Sequence, residues 1–244
     1  MKKTLILLFF AISLASCSSG SDSDSSSSTG VLLRKIVLES ESGTRTTTYV
    51  YNGNKMNTIS FGTYFNQFFY TGNAVTKVES YNNGQLMSVF TFDYDSSGKL
   101  VQSYLDSPGL ELAWRDAYVY NNDNTISVNH YVSFEGGPET LQEQKLYLDS
   151  EGEIIRIERY DDLGTSVSLY TYDAKNNPFR NVMGFDKLLN VISLGIKHNT
   201  VTTLETDFDG STISSSEKTI MYNAQDFPVT MQFEGDTSIE RYYY

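Results

Sequence analysis

The sequence predicts an all-β chain, an antiparallel meander of about 15 to 17 short strands curled into a large barrel-like or rolled sheet. Three observations predict it: a recurring turn motif, an alternation of apolar and polar residues before each copy, and further turn signals between copies. The motif is clearest in Tyr94-Asp95-x-x-Gly98-x-Leu100. It is echoed by Leu148-Asp149-x-x-Gly152-x-Ile154 and by Tyr120-Asn121-x-x-Asn124-x-Ile126. Looser copies are Tyr172-Asp173-x-x-Asn176-x-Pro178 and Tyr222-Asn223-x-x-Asp226-x-Pro228, with shortened ones at Tyr51-Asn52-Gly53-Asn54 and Tyr70-Thr71-Gly72-Asn73.

Each part of the motif has a mechanical reason. Asp or Asn opening a type I turn accepts hydrogen bonds from backbone N–H groups just ahead of it. Gly or Asn three positions later tolerates the left-handed backbone that the hairpin loop needs. Two residues before the lead position stands an apolar or aromatic side chain: Tyr49, Phe68, Phe92, Tyr118, Leu146, Tyr170 or Ile220. A period of two marks a strand with one buried face. Between the copies lie Asn82-Asn83-Gly84, Asp106-Ser107-Pro108-Gly109, Gly136-Gly137-Pro138, Asp161-Asp162-Leu163-Gly164 and Asp209-Gly210-Ser211. So many strands cannot remain flat and open, because twist and unpaired edges make a long sheet curl or close.

The elements follow in chain order. Residues 1–16 read as a signal peptide, with Lys2 and Lys3 preceding the apolar run Thr4 to Ile12. That run is too short to span a bilayer, which needs about 20 residues. Leu14-Ala15-Ser16-Cys17 resembles the lipobox of bacterial lipoproteins, which implies that Cys17 becomes an acylated N-terminus. Residues 17–30 then form the acylated cysteine and a Ser-rich flexible tether, whose composition cannot bury apolar surface. Asp22 and Asp24 loosely resemble the acidic cue that directs Bacteroidota lipoproteins to the cell surface, so surface display is favoured over the periplasmic face. Residues 31–244 form a single β-repeat domain. It opens with the strand Val31 to Leu38 and ends with Ile239 to Tyr244, and pairing of these two would close a barrel. One segment breaks the β pattern: Phe185, Leu188, Leu189 and Ile192 have amphipathic helical spacing, predicting one short helix near 184–193 that plugs the curled sheet.

Two family resemblances rest on these residues. Phe92 to Leu100 and Tyr170 to Phe179 are similar to the YD repeats of Rhs-type shell proteins, although Lys99 stands where those repeats carry arginine. The layout of lipobox, serine tether and aromatic β-repeats resembles Bacteroidota lipoproteins of a domain of unknown function with a porin-like fold. That likeness implies a large barrel-like sheet and brings no activity or catalytic residue. An integral outer-membrane barrel is disfavoured by the lipid anchor and by charge-dense stretches such as Arg156-Ile157-Glu158-Arg159, where a lipid-facing band would be apolar.

Composition narrows the function. The net charge of −12, with no basic run, argues against nucleic acid and anionic lipid as partners. The only cysteine is Cys17, so the domain has no thiol chemistry. His130 and His198 lack a second ligand at metal spacing and read as structural or exposed, so no metal or cofactor is expected. Asp207-x-Asp209-Gly210-Ser211 lacks the remaining positions of a calcium loop and reads as a hairpin turn. Trp114, the single tryptophan, packs inside with the tyrosines in the simplest reading; alternatively its ring stacks on a ligand. The expectation is a non-enzymatic, lipid-anchored outer-membrane binding protein, facing outward. Carbohydrate is the favoured ligand class, with Trp114 as the candidate binding residue. The alternatives are a structural or interaction subunit of an envelope protein complex, and a hydrolase using unrecognised carboxylates.

Overall fold

A computed structural model describes residues 30–107, 109, 111–189 and 195–244. The predicted signal peptide, Cys17 and the tether up to residue 29 lie outside the described residues. Among those described, sixteen strands form one sheet. The first eight are β1 (Lys35–Ser40), β2 (Gly43–Asn52), β3 (Lys55–Phe61), β4 (Tyr64–Thr71), β5 (Ala74–Asn82), β6 (Gln85–Tyr94), β7 (Leu100–Ser107) and β8 (Leu112–Tyr120). The second eight are β9 (Thr125–Phe134), β10 (Thr140–Leu148), β11 (Ile154–Asp161), β12 (Gly164–Tyr172), β13 (Thr200–Thr206), β14 (Thr212–Tyr222), β15 (Pro228–Phe233) and β16 (Ile239–Tyr243). Each strand is hydrogen-bonded to its sequence neighbours. β1 also pairs antiparallel with β16, with Ile36 opposite Tyr242 and Leu38 opposite Glu240. The meander is therefore a closed barrel.

The recurring motif builds one end of this barrel. At Asp95 the carboxylate Oδ1 accepts from the Ser97 and Lys99 amides at 2.8 and 3.0 Å, while Gly98 takes φ 81°. Asp149 repeats the geometry toward Glu151 and Glu153, at 2.8 and 2.9 Å, and Asn223 repeats it toward Gln225 and Phe227. The register slips by one residue just before Tyr51, Tyr70, Tyr94, Leu148, Tyr172 and Tyr222, so a bulge precedes the lead residue of six copies. Lead tyrosines use their hydroxyls on backbone groups of the preceding strand. Tyr94 donates to the Val75 carbonyl and Tyr172 to the Ile154 carbonyl, each at 2.7 Å, and Tyr70 accepts from the Met56 amide at 3.0 Å. Two residues earlier, Tyr49, Phe68, Phe92, Tyr118, Leu146 and Tyr170 are buried on the inner face.

Strand alternation sends every motif turn, the first strand's entry at Leu32 and Leu33, and the final residue Tyr244 to the same end. The long β12–β13 connection, Asp173 to Asn199, also leaves from that end and folds back into it. Its apolar side chains Val182, Phe185 and Leu188 are buried, and Phe185 meets Phe68 with ring centres 5.6 Å apart. Phe179 lies 5.6 Å from Tyr49. Buried Glu153 accepts from the amides of Ile196, Lys197 and His198 at 3.2, 2.7 and 2.9 Å, tying the connection to the β10–β11 turn. This segment was expected to be a helix near 184–193. The structure has instead a single 3-10 turn at Phe185–Lys187, entered through Gly184 at φ 79°, and residues 190–194 lie outside the described residues. The apolar spacing reflects a plug that buries side chains against the barrel rather than helical periodicity.

Among the described residues the opposite end carries hairpin turns, including Ser40 to Gly43, Asn82 to Gln85 and Asp161 to Gly164. Away from the plug, the inner-face residues Trp114, Asp116, His130, Gln144 and Arg159 are only half-buried, so the barrel interior there is a lumen not filled by side chains. The outer wall carries ion pairs at mid-strand: Lys77–Glu79 at 2.7 Å, Arg241–Glu39 at 3.0 Å, and Arg156–Glu158. A membrane-spanning barrel needs an outward apolar band about 25 Å tall. Charges in mid-wall interrupt any such band, so this outer face suits water.

Candidate luminal binding site

The site lies on the inner face of β7 to β12, between the plug and the open mouth. Residues Trp114, Asp116 and Tyr118 of β8 share one face because their spacing is two, and buried Tyr118 fixes that face as the inner one. Register then brings the neighbours. Ser103 of β7 stands opposite Asp116, and Asp116 stands opposite His130 of β9. Tyr118 faces Val128, Val128 faces Gln144 of β10, and Gln144 faces Arg159 of β11. Trp114, Asp116, Tyr118, Val128, His130, Gln144 and Arg159 together line a cavity of about 240 Å³.

Its polar groups are held in place. His130 Nδ1 lies 2.5 Å from Asp116 Oδ1, and the two side chains are 19% and 15% exposed. Ser103 Oγ donates to the other carboxylate oxygen at 3.3 Å and also lies 3.1 Å from the Tyr118 hydroxyl. Burial, reinforced by the Asp116 charge, pushes the Tyr118 phenol far above its ordinary pKa, so this hydroxyl stays protonated. Arg159 Nη1 donates to Ser168 Oγ of β12 at 2.9 Å. The Trp114 ring meets Phe90 edge-on, with centres 5.6 Å apart and planes at 70°, and lies 6.2 Å from the His130 ring. Beyond Phe90 a second cavity, of about 210 Å³, is lined by Ile59, Asn66, Phe68, Val78, Ser80, Phe90 and Phe92. The first cavity is mainly polar with one aromatic wall, and the second is mainly apolar.

The candidates raised by the sequence fall as follows. Cys17 lies outside the described residues. Trp114 is half-buried on the luminal wall. His130 joins Asp116 in the same cavity, whereas His198 belongs to the plug, its Nδ1 3.8 Å from Glu153. Asp207 and Asp209 form a hairpin turn, with the Ser211 amide 2.8 Å from Asp209 Oδ1 and Gly210 at φ 82°. Among the described residues, no cluster of three or more His, Cys, Asp or Glu side chains could hold a metal ion. Asp116, Gln144 and Arg159 were not singled out from sequence. The spacing of two from Trp114 was the signal that could have found Asp116, but the other two need the register across successive hairpins.

The fold defines a class: closed all-antiparallel barrels, here with sixteen strands among the described residues. No family model matches the sequence, and no curated protein matches it. Among solved structures, the chain is similar to a porin-like protein from Bacteroides vulgatus, with a TM-score of 0.61 and 13% identity, covering 88% of this chain and 98% of that one. A porin-like protein from Bacteroides uniformis aligns at a TM-score of 0.49 and 14% identity, covering 86% and 97%. At 13% identity the first likeness concerns the fold alone.

Proposed function

We propose that the protein is a lipid-anchored binding protein of the outer membrane, displayed at the cell surface, whose lumen takes a carbohydrate and performs no catalysis. The observation that carries the reading is the luminal Trp114 ring, set among Asp116, His130, Gln144 and Arg159 around one cavity. A pyranose has an apolar face that packs on an aromatic ring, and hydroxyls that both donate and accept. Carboxylate, amide, imidazole and guanidinium groups can meet those hydroxyls in pairs. Fixed beforehand by Ser103, Tyr118 and Ser168, these groups lose little freedom on binding. Among the described residues no hydroxyl or thiol partners His130 Nε2, so the Asp116–His130 pair serves here as a hydrogen-bonding unit rather than an activated nucleophile.

The chain has one tryptophan, so intrinsic tryptophan emission reports this cavity alone. Titration with a glycan panel is expected to quench or shift that emission and to raise the melting temperature. If no glycan changes either signal, the carbohydrate reading fails. The anchor is tested separately: Cys17→Ala should release the protein from the membrane fraction, and a variant that survives an alkaline wash on the membrane refutes acylation. Protease treatment of intact cells tests the orientation, since a surface-displayed domain is cleaved and a periplasmic one is spared.

A further inference from the structure

We infer that the luminal site is built for a sugar bearing a carboxylate, a uronic-acid type of residue, with Arg159 as the group that receives it. This rests on the carbohydrate reading and deepens it. Three mid-wall cations on the outer face, Lys77, Arg156 and Arg241, each pair with a glutamate. Arg159 sits on the inner face of the same β11 strand as Arg156, and among the described residues it has no protein carboxylate within 4.0 Å. Its protein hydrogen bond goes to Ser168 Oγ, a neutral hydroxyl, and uses one of the five guanidinium donors.

A half-buried guanidinium in an acidic chain would ordinarily draw an acidic side chain as partner, because leaving the charge uncompensated costs free energy. The acids nearest in the wall are engaged elsewhere. Asp116 is taken by His130 and Ser103, and Glu205, which stands opposite Ser168, accepts from Ser214 Oγ at 3.0 Å. The ladder neighbours of Arg159 are Gln144 and Ser166, both neutral. The cavity thus offers a planar cation with no protein carboxylate within 4.0 Å among the described residues, beside an aromatic ring and across from the Asp116 carboxylate. A guanidinium fork matches a carboxylate with two parallel hydrogen bonds, and Ser168 holds Arg159 from the far side without neutralising it.

The test uses the mature full-length protein and oligogalacturonate, its carboxyl-reduced counterpart, and a sulfated neutral oligosaccharide, read by Trp114 emission. The acidic oligosaccharide is expected to bind roughly tenfold or more tightly than the reduced one, the worth of a charge-assisted hydrogen bond. Arg159→Gln should abolish that preference, with the acidic oligosaccharide losing at least roughly tenfold more affinity than the reduced one. Arg159→Lys should keep only part of it. Melting curves of both variants verify folding. Equal binding of acidic and reduced oligosaccharides overturns the carboxylate assignment and leaves the carbohydrate reading standing. So does a preference that survives Arg159→Gln. Equally tight binding of the sulfated oligosaccharide through Arg159 would make the subsite a general oxyanion site and also overturn the assignment. Absence of binding by all three overturns both readings.

Discussion

Gly184 illustrates how much a single residue carries in the closed end. Its φ is 79°, and a Cβ there would lie 2.6 Å from the Asn73 carbonyl oxygen and 3.2 Å from the Val75 nitrogen, both backbone atoms. Neither can move without disturbing the β4–β5 turn. Gly184→Ala should therefore destabilise the fold by about 1–3 kcal/mol, the cost of a strained backbone site, seen as a lower urea midpoint. An unchanged midpoint would mean that the plug entry relaxes freely. The tyrosines make a second residue-scale prediction. Burial pushes the phenols of Tyr70 and Tyr120 from 10.0 up to about 12. A phenol whose folded pKa is raised stabilises the fold while protonated. That contribution is complete below the unfolded value of 10.0 and disappears as pH rises through about 12. The urea midpoint should accordingly fall between pH 10.0 and about 12, and a level profile across that window would contradict the burial of these rings.

At the scale of elements, the plug depends on one carboxylate. Glu153 receives three successive amides of the β12–β13 connection from within a buried position, and removing it strands those donors. Glu153→Ala should cost about 2–4 kcal/mol and speed hydrogen exchange at residues 196–198, whereas strand amides in β8 and β9 keep their protection. Exchange that stays slow at 196–198 would show that side-chain packing alone seats the plug. The same scale explains what was legible in the sequence. The hairpins were readable because Asp95, Asp149 and Asn223 announce their turns, and each aromatic residue two positions before a lead residue declares the inner face. The helix expected near 184–193 was misread for the opposite reason. Phe185, Leu188 and Leu189 are apolar because they fill the barrel end, a tertiary demand that happens to imitate helical spacing. In the site, Trp114 stood out as the lone tryptophan. Arg159 did not, since in Arg156-Ile157-Glu158-Arg159 it looks like one more charge on a solvated strand. Only strand parity, fixed by buried Ile157, separates it from Arg156 on the other face.

For the whole molecule, the contrast lies between a porin-like shape and a polar exterior. Ion pairs at mid-wall and tyrosine hydroxyls bonded to Glu79 and Glu158 decorate the surface that lipid would cover in a spanning barrel. The domain beginning at Val31 should therefore be soluble without detergent, monodisperse in gel filtration, and silent in planar-bilayer conductance. A requirement for detergent, or discrete channel openings, would refute a water-facing wall.

The plug, the motif turns, the first strand's entry and Tyr244 crowd into one end of the barrel, so on the proposed reading a ligand would enter from the other end. A long polymer would then not be threaded through the barrel. Whatever reached the Trp114 cavity would have to present a free terminus or a short side branch, and leave by the way it came. Such a receptor would count chain ends and ignore the length of chain behind them.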